Sequence, residues 1–200
     1  MYDVITIGTA TLDVILPCPE LKKENDQNNK PHLILPHGTK IEIENVQFET
    51  GGGATNAATT FARQGLKPAV IAKIGKDISG DRVISRLKEE HIDTSFLVVD
   101  QNDTTDFTTI IYSPQQGSVL LISRGKGRLE ADNIPWDSLQ ANWFYVTSVE
   151  GNLNILEKLE NTFISGTQKS EIAWNKYKRI EFFRVFNKSR IIRFRRKSDS

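Results

Sequence analysis

Apolar positions recur along this chain with two different periods, and the changes of period mark out its elements. Residues 3–8 (DVITIG) form a nearly continuous apolar run ending in glycine, the pattern of a strand buried on both faces. Residues 9–16 follow, with Asp13 set among Leu12, Val14 and Ile15. Residues 17–40 are polar, hold four prolines and the run ENDQNNK, and read as a loop or a mobile excursion. Alternation returns in residues 40–48 (KIEIENVQF), where Ile41, Ile43, Val46 and Phe48 are apolar. The register slips after Glu44, so the pattern predicts a strand with a bulge near Asn45. From Ala54 to Gln64 the period changes: Ala57, Ala58, Phe61 and Ala62 recur at three and four residues, which predicts a helix with Gly65 as its stop.

The rhythm then repeats. Residues 69–74 (AVIAKI) read as a buried strand, and residues 79–91 as a helix with Val83, Ile84 and Leu87 inward. Between them GKDISGD makes a tight connection, with Ser79 as candidate N-cap; it reads either as a loop at a ligand edge or as a well-capped turn. Strand and helix in alternation imply an α/β fold with a parallel sheet and right-handed crossovers. Residues 104–124 break the rhythm, because DFTTIIYS and SVLLISR flank the turn PQQG and so form an antiparallel hairpin that stands off such a sheet. Residues 142–147 (NWFYVT) are a further buried strand, residues 153–163 an amphipathic helix, and residues 171–175 (EIAWN) one more short strand. Residues 176–200 show no sustained period of either kind.

Composition changes this picture in two places. Among 200 residues there is one cysteine, Cys18, which excludes an internal disulfide and fits a reducing compartment. No window reaches the eighteen or so apolar residues of a membrane span, and the first residues carry no positive stretch, so a cytoplasmic protein is expected. The net charge of +1 conceals an asymmetry: residues 176–200 hold ten Lys or Arg against Glu181 and Asp199, and the preceding residues are net acidic. The basic character of the end therefore says nothing about the main domain.

Candidate chemistry gathers at residues 50–65 (TGGGATNAATTFARQG). Gly51, Gly52 and Gly53 run into a helix N-terminus, where free N–H donors and the positive end of the dipole suit a hydroxyl-rich or anionic ligand; the alternative is a flexible turn. Asn56, in the first turn, both donates and accepts. Asp13 lies beyond the end of the first strand, where open α/β sheets bind ligands, or else it caps a turn. The segment RGKGR, residues 124–128, reads as a flexible basic loop that closes on a charged ligand, or as a solvated one. His32 and His37 have no cysteine partner at metal-ligand spacing, so no metal site is expected. Neither G-x-G-x-x-G nor G-x-x-x-x-G-K-[ST] occurs.

Taken in order, G-T-x-T-x-D ending at Asp13, GGGATNAA from Gly51, IGKDISGDRV from Ile74 and the inserted hairpin resemble the ribokinase-like, or PfkB, family of sugar kinases over residues 1–175. The resemblance implies a doubly wound, mostly parallel sheet with a protruding β lid, and transfer of a phosphoryl group from ATP, with Mg, to a hydroxyl of a sugar, sugar acid or nucleoside. It implies that Asp13, Gly51, Gly52, Gly53 and Asn56 hold the sugar, that Arg124 faces it from the lid end and that Glu150 lies near it.

The departure from the family is the motif G-A-G-D, which supplies the catalytic base and an anion-binding helix N-terminus and does not occur here. No catalytic residue is therefore assigned, and ATP and Mg are not expected to bind this chain well. Residues 1–175 are expected to be the substrate-binding and lid part of an incomplete ribokinase-like domain. Residues 176–200 are expected to be a basic tail, disordered or out of frame. The alternatives are a sugar-binding or interaction module without catalysis, with the lid as a homodimer surface, and a nucleic-acid binder acting through the tail.

Overall fold

The apolar run at the start becomes β1 (Tyr2–Ile7), an inner strand with neighbours on both sides. The chain continues through β2 (Thr11–Pro17), β3 (Lys22–Asn25), β4 (Pro31–Ile34), β5 (Gln47–Gly51), α1 (Gly53–Arg63), β6 (Pro68–Ile71), β7 (Lys73–Gly75), α2 (Ile78–Glu89) and β8 (Val98–Asp100). It ends with β9 (Asp106–Ser113), β10 (Gly117–Ser123), β11 (Ala141–Val146), α3 (Asn154–Phe163), β12 (Glu171–Lys176) and β13 (Arg179–Phe183). This computed structural model describes residues 1–163, 171–176 and 179–183. Among them no helix is long and apolar enough to cross a membrane.

The main sheet has the order β13-β12-β11-β1-β6, parallel except for β13. Both of its faces are covered along β1 and β6. On one, Ile5, Ile7, Ile71, Phe144 and Val146 pack with Ile155 and Leu159 of α3 and with Trp136 and Leu139 of the preceding turns. On the other, Val70 and Ala72 pack with Ala54 and Ala58 of α1, and Ile74 with Val83 and Leu87 of α2. Burial on both faces is the reason these strands read as continuous apolar runs. A second sheet, β10-β9-β2-β5, stands beside the first, with β2 and β9 parallel and the outer pairs antiparallel. This is the lid.

The helix ends follow local chemistry. At the end of α1 the amides of Gly65 and Leu66 donate to the carbonyls of Ala62 and Phe61, with Gly65 at φ +83°, a Schellman stop at the expected glycine. At the start of α2 the cap is Asp77, not Ser79: its carboxylate accepts from the Gly80 amide at 2.8 Å, and from the Thr105 amide and hydroxyl at 2.9 and 2.7 Å. Burial pushes the Asp77 carboxyl up, but these donors outweigh it and hold it below its usual value. Asp77→Ala is expected to cost about 1–2 kcal/mol, read as a lower urea midpoint. Because the folded value is depressed, the Asp77 contribution is complete above the unfolded carboxylate range near about pH 4 and is lost as pH falls through the folded value.

Four local expectations change. Residues 40–46 form no strand; β5 begins at Gln47, after Asn45 turns to φ +55°, because β5 pairs only with β2 and the exposed residues before it meet no partner. Residues 69–74 are two strands in two sheets, β6 beside β1 and β7 beside β8. The polar excursion contains the hairpin β3–β4, whose turn is tied by the Asp26 carboxylate accepting from the amides of Asn28 and Lys30 at 2.8 Å. Exposed on nearly every residue, that hairpin has no buried face to impose a period. Finally, residues 179–183 pair with β12 where no period was visible. The remainder of the basic end, and with it the expectation of a disordered or out-of-frame tail, lies outside the described residues.

Candidate functional site

Between the C-terminal end of β1 and β11 and the inner face of the lid lies a cleft of about 990 Å³. Asp13, Gly52, Gly53, Asn56, Arg124 and Glu150 all line it, joined by Thr11, Asp106, Thr108, Arg128, Thr147 and Ser148. Asp13 caps no helix and sits in no turn; it is in β2, on the lid sheet. Strand geometry sends side chains two residues apart to the same face, so Thr11 and Asp13 point into the cleft together. Their partners across the sheet, Asp106 beside Thr11 and Thr108 beside Asp13, do the same. On β10, Leu120 and Ile122 add an apolar border.

One oxygen of Asp13 accepts the Thr11 hydroxyl at 2.9 Å, and among the described residues the other accepts nothing. Gly51 is the reason that oxygen stays accessible. It lies opposite Thr11 in β5 and does not line the cleft, but a Cβ there would overlap both Asp13 Oδ2 and Thr11 Oγ1. Gly53 similarly leaves space for the Thr147 side chain.

The glycine turn is less open to anions than its pattern suggests. The Gly53 amide donates to Thr9 Oγ1 at 3.0 Å and the Ala54 amide to the Thr9 carbonyl at 3.0 Å, so these two donors of the helix start are already satisfied. These bonds tie the connection between β1 and β2 to the start of α1, and Asn56 beside it is exposed.

Across the cleft, Arg124 Nη1 lies 2.7 Å from Glu150 Oε1 and 3.7 Å from Asp106 Oδ2. Arg128 donates to the Glu150 carbonyl at 2.7 Å. Glu150 has φ +53°, a left-handed conformation that is costly for a residue with a Cβ; Arg128 bonds its carbonyl and Arg124 its carboxylate. The loop that carries the arginines is tied to the protein through its backbone amides. The Gly125 amide donates to Asp106 at 2.8 Å, and the amides of Lys126 and Gly127 donate to Asp103 at 2.8 and 2.6 Å.

Sequence reasoning assigned no ligand role to Thr11, Asp106, Thr108, Thr147 or Ser148, and took Arg128 only as part of the basic loop. The usable signal was the two-residue spacing of polar side chains, T-x-D at Thr11 and D-x-T at Asp106, inside otherwise apolar strands.

A model of the pfkB family carbohydrate kinases matches residues 1–169. The chain belongs to the PfkB family. A ribokinase of Mus musculus is 32% identical over 122 residues, which are 61% of this chain and 34% of that protein. A 5-dehydro-2-deoxygluconokinase of Clostridium beijerinckii is 37% identical over 82 residues, 40% of this chain and 24% of that one. The chain thus spans about a third or less of the length of these PfkB relatives. Among solved structures, the PfkB protein of Polaromonas sp. JS666 superposes with a TM-score of 0.66 at 22% identity, covering 87% of this chain and 55% of that one. The ribokinase of Cryptococcus neoformans var. grubii serotype A, solved with ADP, gives 0.61 at 16% identity over 88% of this chain and 49% of that one. These likenesses give the ribokinase-like fold, here in part.

PfkB kinases generally use ATP and Mg. The amides of Gly53 and Ala54 are committed to Thr9, and both cleft arginines are engaged by Glu150. No group of three or more His, Cys, Asp or Glu among the described residues gathers to hold a metal.

Proposed function

We propose that this chain is the acceptor-binding and lid part of an ATP-dependent carbohydrate kinase, and that it recognises a sugar or nucleoside through Asp13. The observation that carries this reading is the open carboxylate oxygen of Asp13, aimed into a cleft lined with hydroxyls and kept clear by Gly51. An ionised carboxylate is acceptor-only, so it favours neighbouring sugar hydroxyls as donors. Thr11 and Thr108 supply further hydroxyls, and Leu120 and Ile122 border the less polar side of a ring. Asn56 and Arg124 reach the same space, with Glu150 beyond.

The base, the nucleotide and Mg belong to parts of the family fold that carry G-A-G-D, and these residues alone are expected to bind sugar without turning it over. Such a chain works in the cytoplasm as a sugar-binding module or as one part of a longer kinase. Apart from Leu120 and Ile122 at the cleft border, its lid exposes Phe48 and Leu121, which supports a homodimer through the lid. The alternative of nucleic-acid binding rests on the basic end, most of which lies outside the described residues.

Calorimetry with the full chain and a panel of neutral sugars, sugar acids and nucleosides, run beside an ATP-consumption assay, tests the reading. The expected result is binding of one sugar or nucleoside class without ATP consumption. ATP consumption that disappears in Asp13→Ala would show a base this reading lacks. Failure to bind any member of the panel would overturn it.

A further inference from the structure

Two of the junctions between the lid and the rest of the molecule lie where the chain enters β9 and where it leaves β10, and Asp103 lies at both. One of its oxygens accepts the Lys126 amide and the other the Gly127 amide, on the way out of the lid. The second oxygen also accepts Lys73 Nζ at 2.8 Å, from β7 on the core side. Lys73 is held as well by Asp100 at 2.9 Å. Three residues along, Asp106 takes the Gly125 amide, so three successive amides of the RGKGR loop end on two carboxylates.

The two glycines of that loop make the approach feasible. A Cβ on Gly125 would overlap the Thr104 carbonyl oxygen, and one on Gly127 would overlap Lys73 Nζ. At Gly125 the clash would be with backbone, so a residue without a side chain is needed there; at Gly127 it would be with the far end of the Lys73 side chain, the group that anchors Asp103. The loop then leaves with Arg124 and Arg128 directed at Glu150, Arg124 at its carboxylate and Arg128 at the carbonyl of its left-handed backbone. We propose that Asp103 is a positioning residue which, anchored on Lys73, sets where Arg124 and Arg128 meet Glu150 at the mouth of the cleft.

Electrostatics agree with the geometry. The Lys73 hydrogen bond first, and then the backbone amides, hold the Asp103 carboxyl far below the usual carboxylate range. At Lys73, burial pulls the ammonium down, but Asp103 and Asp100 together outweigh it and raise it. Asp103 touches no part of the cleft itself, so it acts through the loop.

Asp103→Asn keeps the shape of the side chain but replaces one acceptor by a donor facing amides and an ammonium. Amide exchange on the full chain, together with the Nε–H signals of Arg124 and Arg128 in nitrogen-15 spectra, reads the outcome without any ligand. The amides of Lys126 and Gly127 are expected to exchange at least about tenfold faster, and both arginine signals to move, while core amides such as Ile5 and Ile7 keep their protection. Asp103→Ala should enlarge the same changes.

Unchanged arginine signals, or faster exchange of core and loop amides together, would overturn the proposal. So would failure of both variants to fold, which would make Asp103 a folding residue instead. The effect on sugar affinity rests on the carbohydrate-kinase reading above: if the native chain binds no sugar yet the exchange pattern is as expected, that reading fails and the clamp stands.

Discussion

Asp13→Ala is expected to weaken sugar binding by about a hundredfold or more, since each hydrogen bond to a charged group contributes about 1.5–3 kcal/mol and the free oxygen of Asp13 can take two. Calorimetry against the best ligand of the panel measures it. The fold should tolerate the change: the one hydrogen bond Asp13 accepts among the described residues comes from its neighbour Thr11, and the side chain is only half-buried. Asp13→Asn is the informative control. It keeps the volume but offers one acceptor where the carboxylate offers two, so it should fall between native and alanine. A loss of binding that follows a loss of thermal stability would assign Asp13 to the lid sheet and not to the ligand.

Gly52→Ala is expected to destabilise the fold by about 2–6 kcal/mol, from backbone strain and overpacking of about 1–3 kcal/mol each. Gly52 has φ +97° and ψ +153°, a region essentially closed to other residues. A Cβ there would stand 2.5 Å from the Thr9 carbonyl oxygen and 2.8 Å from the Ala10 Cα, and backbone atoms cannot rotate away. Chemical denaturation separates the two terms when Gly117→Ala is measured beside it. Gly117 has φ +101° with nothing within 4 Å of an added Cβ, so it reports strain alone and should cost less. Equal losses at the two positions would mean that the Thr9 contact is not rigid, and that the glycine turn is looser than its hydrogen bonds imply.

The two predictions bear on different parts of what was legible in the chain. The buried strands at Tyr2–Ile7 and Ala141–Val146, the helices Gly53–Arg63 and Ile78–Glu89 and the hairpin Asp106–Ser113 with Gly117–Ser123 all stood in the pattern. Each was marked by a period imposed from a covered face, or by turn residues at its ends. Where no face is covered, as in β3 and β4, the period vanished and the strands went unread. The motif order around Asp13 and Gly51 also marked out one neighbourhood, because in α/β folds such segments converge at the C-terminal edge of the sheet.

What the amino-acid sequence by itself determined is therefore the family, the alternating α/β frame with its lid, and a set of residues facing one cleft. Those depend on near neighbours in the chain, on the period of apolar side chains and on the backbone freedom of glycine. The tertiary structure alone decided what each residue does there. Asp13 lies on a lid strand beside Thr108, Gly51 provides clearance, Thr9 consumes the amides of the helix start, and Asp103 holds a loop more than twenty residues away. Those roles come from strand register and from hydrogen bonds between distant segments, which no local pattern encodes.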